Sequence, residues 1–271
     1  MDRLAKQLPI RTNRIRGPTI FVANMPASHY KAFGSEYYHQ YETALKKQQN
    51  TSGVHLLINV VNPSFTIEER AHYLTEKVKQ IMDKHPDKKA RAHLQAYSFA
   101  GIDARCALSL NGLNEYVRSL TTLCTPHHGM TLVDKCVGGS DKFELDLTHA
   151  HRALEVLGVT QESVKEFGSR NMRAFNKVCE DQDDVMYFSF GAKRKQPQIC
   201  ELLRPNFPII TEHQIEIECD GFVRLPDAKW TNYMVTFEHD HFEAGGLNPR
   251  VNVNHISNLL TDCGRVSEIR E

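Results

Sequence analysis

Three short segments hold residue types that could carry out acyl transfer together. The first is Ala96-Tyr97-Ser98-Phe99-Ala100, a serine with a small residue two positions away on each side, at the end of the apolar run 92–96. A serine nucleophile at the top of a parallel sheet sits on a strained strand-to-helix turn. The positions two before and two after it must be small, because strand and helix pass close together there. Ala96 and Ala100 are small, yet each carries a Cβ that crowds such a turn, and a serine between two alanines is by itself a weak signal. The other segments are Asp220-Gly221-Phe222-Val223 and His239-Asp240-His241-Phe242, each behind a candidate strand. An acid and a histidine later in the chain, in the order Ser, Asp, His, are what a serine hydrolase of this layout needs. Read alone, Asp220 is a turn residue of an Asp-Gly pair, and His241 is a polar loop histidine or half of a His-x-His metal pair. No third ligand of characteristic spacing lies near that pair.

Residues so far apart in the chain need a scaffold that gathers their loops at one sheet edge. Thr19-Ile20-Phe21-Val22 reads as a short buried strand leading into a loop at 23–27, and Val54–Val61 as a fully buried strand closed by Asn62-Pro63. Thr66-Ile67-Glu68-Glu69 has the spacing of a capping box, so a helix starts there. Ile67, Ala71, Leu74, Val78 and Ile81 then recur at helical spacing until His85-Pro86 stops it. A strand at 92–96 follows, and further strand candidates are 118–124, 185–190, 215–219 and 234–237. Strand, loop, amphipathic helix, strand is the pattern of an α/β fold with a mostly parallel central sheet and helices on both faces. Residues 135–180 interleave apolar and charged positions and read as a short helical cap over the carboxyl edge, where a lid would lie.

Composition narrows the classes further. The chain has 271 residues, enough for one sizeable α/β domain over 18–271 behind a basic arm at 1–17. Its 33 Lys+Arg are balanced by 33 Asp+Glu, which argues against a nucleic-acid partner, since such proteins carry an excess of cations to neutralise phosphates. No apolar run approaches the ~18–20 residues needed to span a bilayer. Seven cysteines, odd in number and never spaced C-x-x-C, signal neither a disulfide framework nor a zinc knuckle, and a reducing, intracellular compartment suits them. The arm, with Arg3, Lys6, Arg11, Arg14 and Arg16 against Asp2, lacks a secretory apolar stretch. It reads equally as a solvated arm or as a mitochondrial targeting segment.

Longer stretches around these residues resemble one family. AYSFAGIDARCAL at 96–108 is similar to the Gly-His-Ser-x-Gly-Gly-Leu-Asp-Ala-Arg elbow of the bacterial triacylglycerol lipases and the fungal mitochondrial triacylglycerol lipases. LTTLCTPHHGMTLVD at 120–134 resembles their Thr-Pro-His-x-Gly-Ser-x-x-Ala-Asp stretch, and DGFVRLPDAKWTNY at 220–233 their acid-bearing Asn-Asp-Gly-Leu-Val segment. Weaker echoes lie at 64–74, 185–192 and 239–247, in the family's order over most of the chain. The resemblance implies an α/β-hydrolase fold and a serine ester hydrolase in which Ser98 is the nucleophile, Asp220 the acid and His241 the base. His255 is the next choice of base and His239 the third. It makes His127-His128 a structural turn, with Lys229 and Trp230 as surface and packing positions.

The chain departs from this family at the oxyanion hole. Where the family has His-Gly after the first core strand, this chain has Ala23-Asn24, so the resemblance makes the backbone N–H groups of Met25 and Phe99 the donors. Loss of that glycine removes backbone freedom, which an asparagine in a left-handed conformation would partly restore. Together with Ala96 and Ala100, this supports a competing reading: a lipase-like protein of weak or no activity that serves as an accessory subunit, with protein partners in a larger, mitochondrial assembly. The enzyme reading implies an acylglycerol or other lipid ester as substrate, peripheral membrane contact at most, and neither cofactor nor metal.

Overall fold

The computed structural model describes residues 15–26, 38–47, 53–61, 65–138, 163–212, 214, 216–248 and 251–269. Residues 1–14 of the basic arm, residue 27 of the first expected loop, Asn62-Pro63 and residues 139–162 of the expected cap lie outside them. Strands β1 (Thr19–Pro26), β2 (Val54–Val61), β3 (Ala92–Tyr97), β4 (Val117–Leu123), β5 (Met186–Ala192) and β6 (Asn232–Phe237) form one sheet in the order β2-β1-β3-β4-β5-β6. Every pairing is parallel. The order reverses between β1 and β3, and in open parallel sheets functional residues gather beyond the carboxyl ends of the strands near such a switch point.

The helices are α1 (His39–Lys46), α2 (Ile67–Lys84), α3 (Ala100–Leu110), α4 (Thr131–Gly138), α5 (Ser169–Val178) and α6 (Asn254–Ile269). At the start of α2, the Thr66 hydroxyl accepts from the Glu69 N–H and the Glu69 carboxylate accepts from the Thr66 N–H, the capping box read from the spacing. Ile67, Ala71, Leu74 and Val78 form its buried stripe, and His85 closes it. Alternation along β3 separates the two helical layers. Gln95 donates to Thr261 and His93 sits 3.0 Å from Glu268, both on α6. Ala92, Leu94 and Ala96 therefore point to the other face, where α3 packs on β3 and against α2. α1 packs with α6.

Three expectations are corrected. β1 does not stop at Val22: it pairs with β2 through Pro26↔Val61, so Ala23, Asn24 and Met25 lie in a strand and not a loop. β2 is not fully buried. It forms the sheet edge, where His55 is exposed and Val54, Leu56 and Leu57 are half-buried. The described part of the segment 215–219 joins no strand of the sheet. It instead folds back, with Cys219 bridged to Arg224, and delivers Asp220 to the sheet edge.

Candidate active site

Ser98 follows the last residue of β3 and takes a left-handed conformation, φ 56°. That conformation is unfavourable for a residue with a Cβ and is retained where surrounding contacts impose it. Here the Ser98 N–H donates to the Leu123 carbonyl at 2.9 Å, and its carbonyl accepts from the Thr125 hydroxyl at 2.8 Å. The crowding expected from Ala96 and Ala100 does not prevent the turn, because the tight approach lies one residue further on. A Cβ on Gly101 would come within 2.2 Å of the Thr125 hydroxyl oxygen.

Asp220 and His241 come from two loops past the carboxyl ends of the sheet. The Asp-Gly turn forms as expected of that dipeptide: Gly221 has φ 87°, and one carboxylate oxygen of Asp220 accepts from the Phe222 and Val223 N–H groups at 2.8 and 2.7 Å. The other oxygen is left for the imidazole. It lies 2.7 Å from Nδ1 of His241, whose Nε2 is 2.9 Å from Oγ of Ser98. Turn residue and histidine partner are thus one residue using different oxygens. His241 opens a one-turn helix, His241–Ala244, behind a second capping box formed by Asp240 and Glu243. Asp240 also accepts from the Cys200 N–H at 2.9 Å, and the His241 N–H donates to the Asp220 carbonyl at 2.8 Å. The hydroxyl of Tyr97 donates to the His241 carbonyl at 2.8 Å. Asp220 and His241 are fully buried, and Ser98 is 4% exposed.

The alternative histidines stand elsewhere. His255 is exposed on α6, edge-on to Phe237. His239 pairs with Glu243 at 3.6 Å. The His-x-His pair therefore diverges, and does not form a metal site. Among the described residues, Cys124, Asp220 and His241 are the group whose ligand atoms lie within 4.8 Å of one another; the hydrogen bonds above already occupy the carboxylate and the ring. His127 is buried between Trp230, Thr122 and Arg105, and burial followed by the Arg105 charge pushes its imidazole well below its ordinary pKa. Lys229 is exposed and Trp230 half-buried.

On the oxyanion side, Phe99 immediately follows the elbow, and among the described residues its N–H donates to no acceptor. The left-handed conformation foreseen for Asn24 is not used, since Asn24 stays extended in β1. Its side-chain amide instead donates to Asp103 of α3 at 2.7 Å. Asp103 in turn accepts from Nε of Arg70, on α2, at 3.0 and 3.1 Å. Burial raises the Asp103 pKa, while Arg70 and Asn24 act to lower it. Arg70, Asp103 and Tyr97 were not singled out from the sequence as site residues. Only the Asp240-x-x-Glu243 spacing, the same signal as Thr66-x-x-Glu69, could have been read ahead.

No protein-family model matches the chain. Over 214 residues, 75% of this chain, it is 29% identical to triacylglycerol lipase 2 of Saccharomyces cerevisiae. The match spans 61% of that lipase's length. Among solved structures, the mature form of a Bacillus licheniformis lipase superposes with a TM-score of 0.66 at 20% identity, covering 93% of this chain and 95% of that one. The metagenomic carboxyl esterase MGS0156 gives 0.67 at 13% identity over 96% of this chain and 77% of that one. Staphylococcus hyicus lipase gives 0.62 at 13% identity over 96% and 97%. The expected resemblance is borne out: the chain has the α/β-hydrolase fold of these lipases and esterases, and its sequence is similar to that of a triacylglycerol lipase.

Proposed function

We propose that this chain is a serine ester hydrolase acting on acylglycerols or other lipid esters. The observation that carries the reading is the continuous hydrogen-bonded line from Ser98 Oγ through His241 to Asp220, starting at a serine held at positive φ. Nε2 of His241 takes the Ser98 proton as Oγ attacks the ester carbonyl, while Asp220 fixes the ring orientation and stabilises the imidazolium. The tetrahedral oxyanion is received by the N–H of Phe99; the N–H of Met25, expected as the second donor, has the strand parity of Thr19, whose N–H donates to Gly53, and so faces β2 and not Ser98. Collapse of the oxyanion breaks the ester C–O bond, and the imidazolium hands its proton to the departing alcohol. Water, deprotonated by His241, then releases the acid from Ser98.

The departures from the family pattern at Ala23 and Asn24 are compatible with turnover, because Asn24 is tied to the buried Asp103–Arg70 pair. A lipid ester is supported by the similarity to a yeast triacylglycerol lipase. Among the described residues no helix is long and apolar enough to cross a membrane.

Labelling with a fluorophosphonate probe tests the reading. The protein should react and Ser98→Ala should not, and hydrolysis of an ester panel would then rank acyl chain lengths. A folded, monodisperse protein that neither reacts nor cleaves short esters would overturn it.

A further inference from the structure

One buried nucleophilic group beside the Ser98–His241–Asp220 line has no part in the mechanism above. Cys124 follows β4 as Ser98 follows β3, and it too is left-handed, φ 53°. Its N–H continues the sheet ladder to the Phe190 carbonyl at 2.9 Å. A Cβ at this conformation is unfavourable, and glycine is the residue that tolerates it best. A strained residue that persists beside a functional site points to a task for its side chain. The side chain is fully buried, and its Sγ lies within 4.8 Å of both a carboxylate oxygen of Asp220 and a ring nitrogen of His241.

We propose that Cys124 is a positioning residue whose thiol donates a hydrogen bond to the Asp220 carboxylate and so sets how strongly Asp220 holds the His241 imidazolium. This rests on the hydrolase reading and extends it by one residue. Burial first, and the adjacent Asp220 carboxylate second, push the Cys124 thiol well above its ordinary pKa, so it stays protonated and available as a donor. The proton remains on sulfur throughout. Phe222 and Val223 donate to one oxygen of Asp220 and His241 to the other. A further donor draws charge from the carboxylate and weakens its pull on the imidazolium, which lowers the pKa at which His241 becomes a competent base. The other ionisable groups facing this pair are Asp240 and Glu243 of the one-turn helix, Cys219 next to Asp220, Tyr41 of α1, Tyr97 of β3 and Tyr233 of β6. All are retained when residue 124 alone is changed.

The test compares Cys124→Ser, Cys124→Ala and Cys124→Gly with the parent protein. It reads the acid limb of kcat/KM against pH and the titration of the His241 ring followed by NMR. Ser keeps a donor, Ala removes it while keeping the Cβ, and Gly removes it while relieving the backbone. Cys124→Ala and Cys124→Gly should raise the His241 pKa by about 0.5 unit in both readouts and lower kcat/KM by up to about threefold on the acid limb. Cys124→Ser should stay near the parent. Superimposable titrations of parent, Ala and Gly variants would overturn the proposal, as would a Ser variant that follows Ala. If Cys124→Ala does not fold, Cys124→Gly alone decides. Failure of the hydrolase reading is separate: the parent would resist the fluorophosphonate probe, while the NMR titration would still report on the thiol.

Discussion

The two sides of the candidate active site are held by different means. On the acid–base side, Asp220 and His241 are fixed by their own short loops, through an Asp-Gly turn, a one-turn capped helix and a main-chain bond between them. On the oxyanion side, Asn24 is fixed by side chains far away in the chain, Asp103 of α3 and Arg70 of α2, which meet in a fully buried ion pair. Local hydrogen bonding gives a side that can be altered piecemeal. A long-range buried pair gives one that fails as a unit, because removing one partner strands the other's charge.

The largest effect belongs to the residues both sides serve. Ser98→Ala and His241→Ala should each lower kcat by roughly 10⁴–10⁶, with the double variant little worse than either, as expected of groups that act together. Additive losses, measured as kcat in the single and double variants, would break the line from Ser98 to Asp220 into independent parts.

Next in size is the buried pair. Asp103→Asn leaves Arg70 with the part-exposed Glu166, 3.8 Å away, as its remaining carboxylate, and should cost stability at the low end of roughly 3–5 kcal/mol, read by denaturant unfolding. The double variant Arg70→Met/Asp103→Leu replaces the pair with apolar volume and should recover most of that stability. It should nonetheless stay roughly 10²-fold down in kcat, the scale of one displaced oxyanion donor. Recovery of activity along with stability would show that Phe99 is held in place without the pair, and would erase the contrast between the two sides.

This contrast also explains what was legible in the sequence. Ser98, Asp220 and His241 stand in local patterns of a few residues, and the structure brings those three together. The helix at 67–84 could be read from Thr66 and Glu69 for the same reason. The role of Asn24 could not, because its partner Asp103 lies 79 residues away and pairs in turn with Arg70, 33 residues before it. Nor could the exposure of β2, since edge position is set by sheet order and not by composition. The segment at 215–219 misled because alternation marks a strand whether or not the segment joins the sheet.

The acid–base loops offer a smaller effect. Asp240→Ala removes the cap of the helix that begins at His241, and with it the acceptor for the Cys200 N–H. About 1 kcal/mol of stability and roughly tenfold in kcat should be lost, with KM unchanged. A loss as large as that of Asp103→Asn would show the acid–base side to be no more divisible than the other.

The smallest effect comes from His127, which packs under Arg105 of α3 and touches neither side. Burial and then the Arg105 charge lower its pKa, so the folded protein keeps this imidazole neutral where the unfolded chain takes up a proton. Its contribution is fully present above the unfolded value near 6.5. It is lost as pH falls below that value, at up to about 1.4 kcal/mol per pH unit. Denaturant unfolding at pH 7 and pH 5.5 should therefore show a drop that is about 1 kcal/mol smaller in His127→Gln than in the parent, with the labelling rate of Ser98 at pH 7 unchanged. His55, whose pKa burial also lowers, contributes to the drop in parent and variant alike, so the difference between them isolates His127. A labelling rate that fell with His127→Gln would bring Arg105, and through α3 the elbow itself, onto the side of the site that fails as a unit.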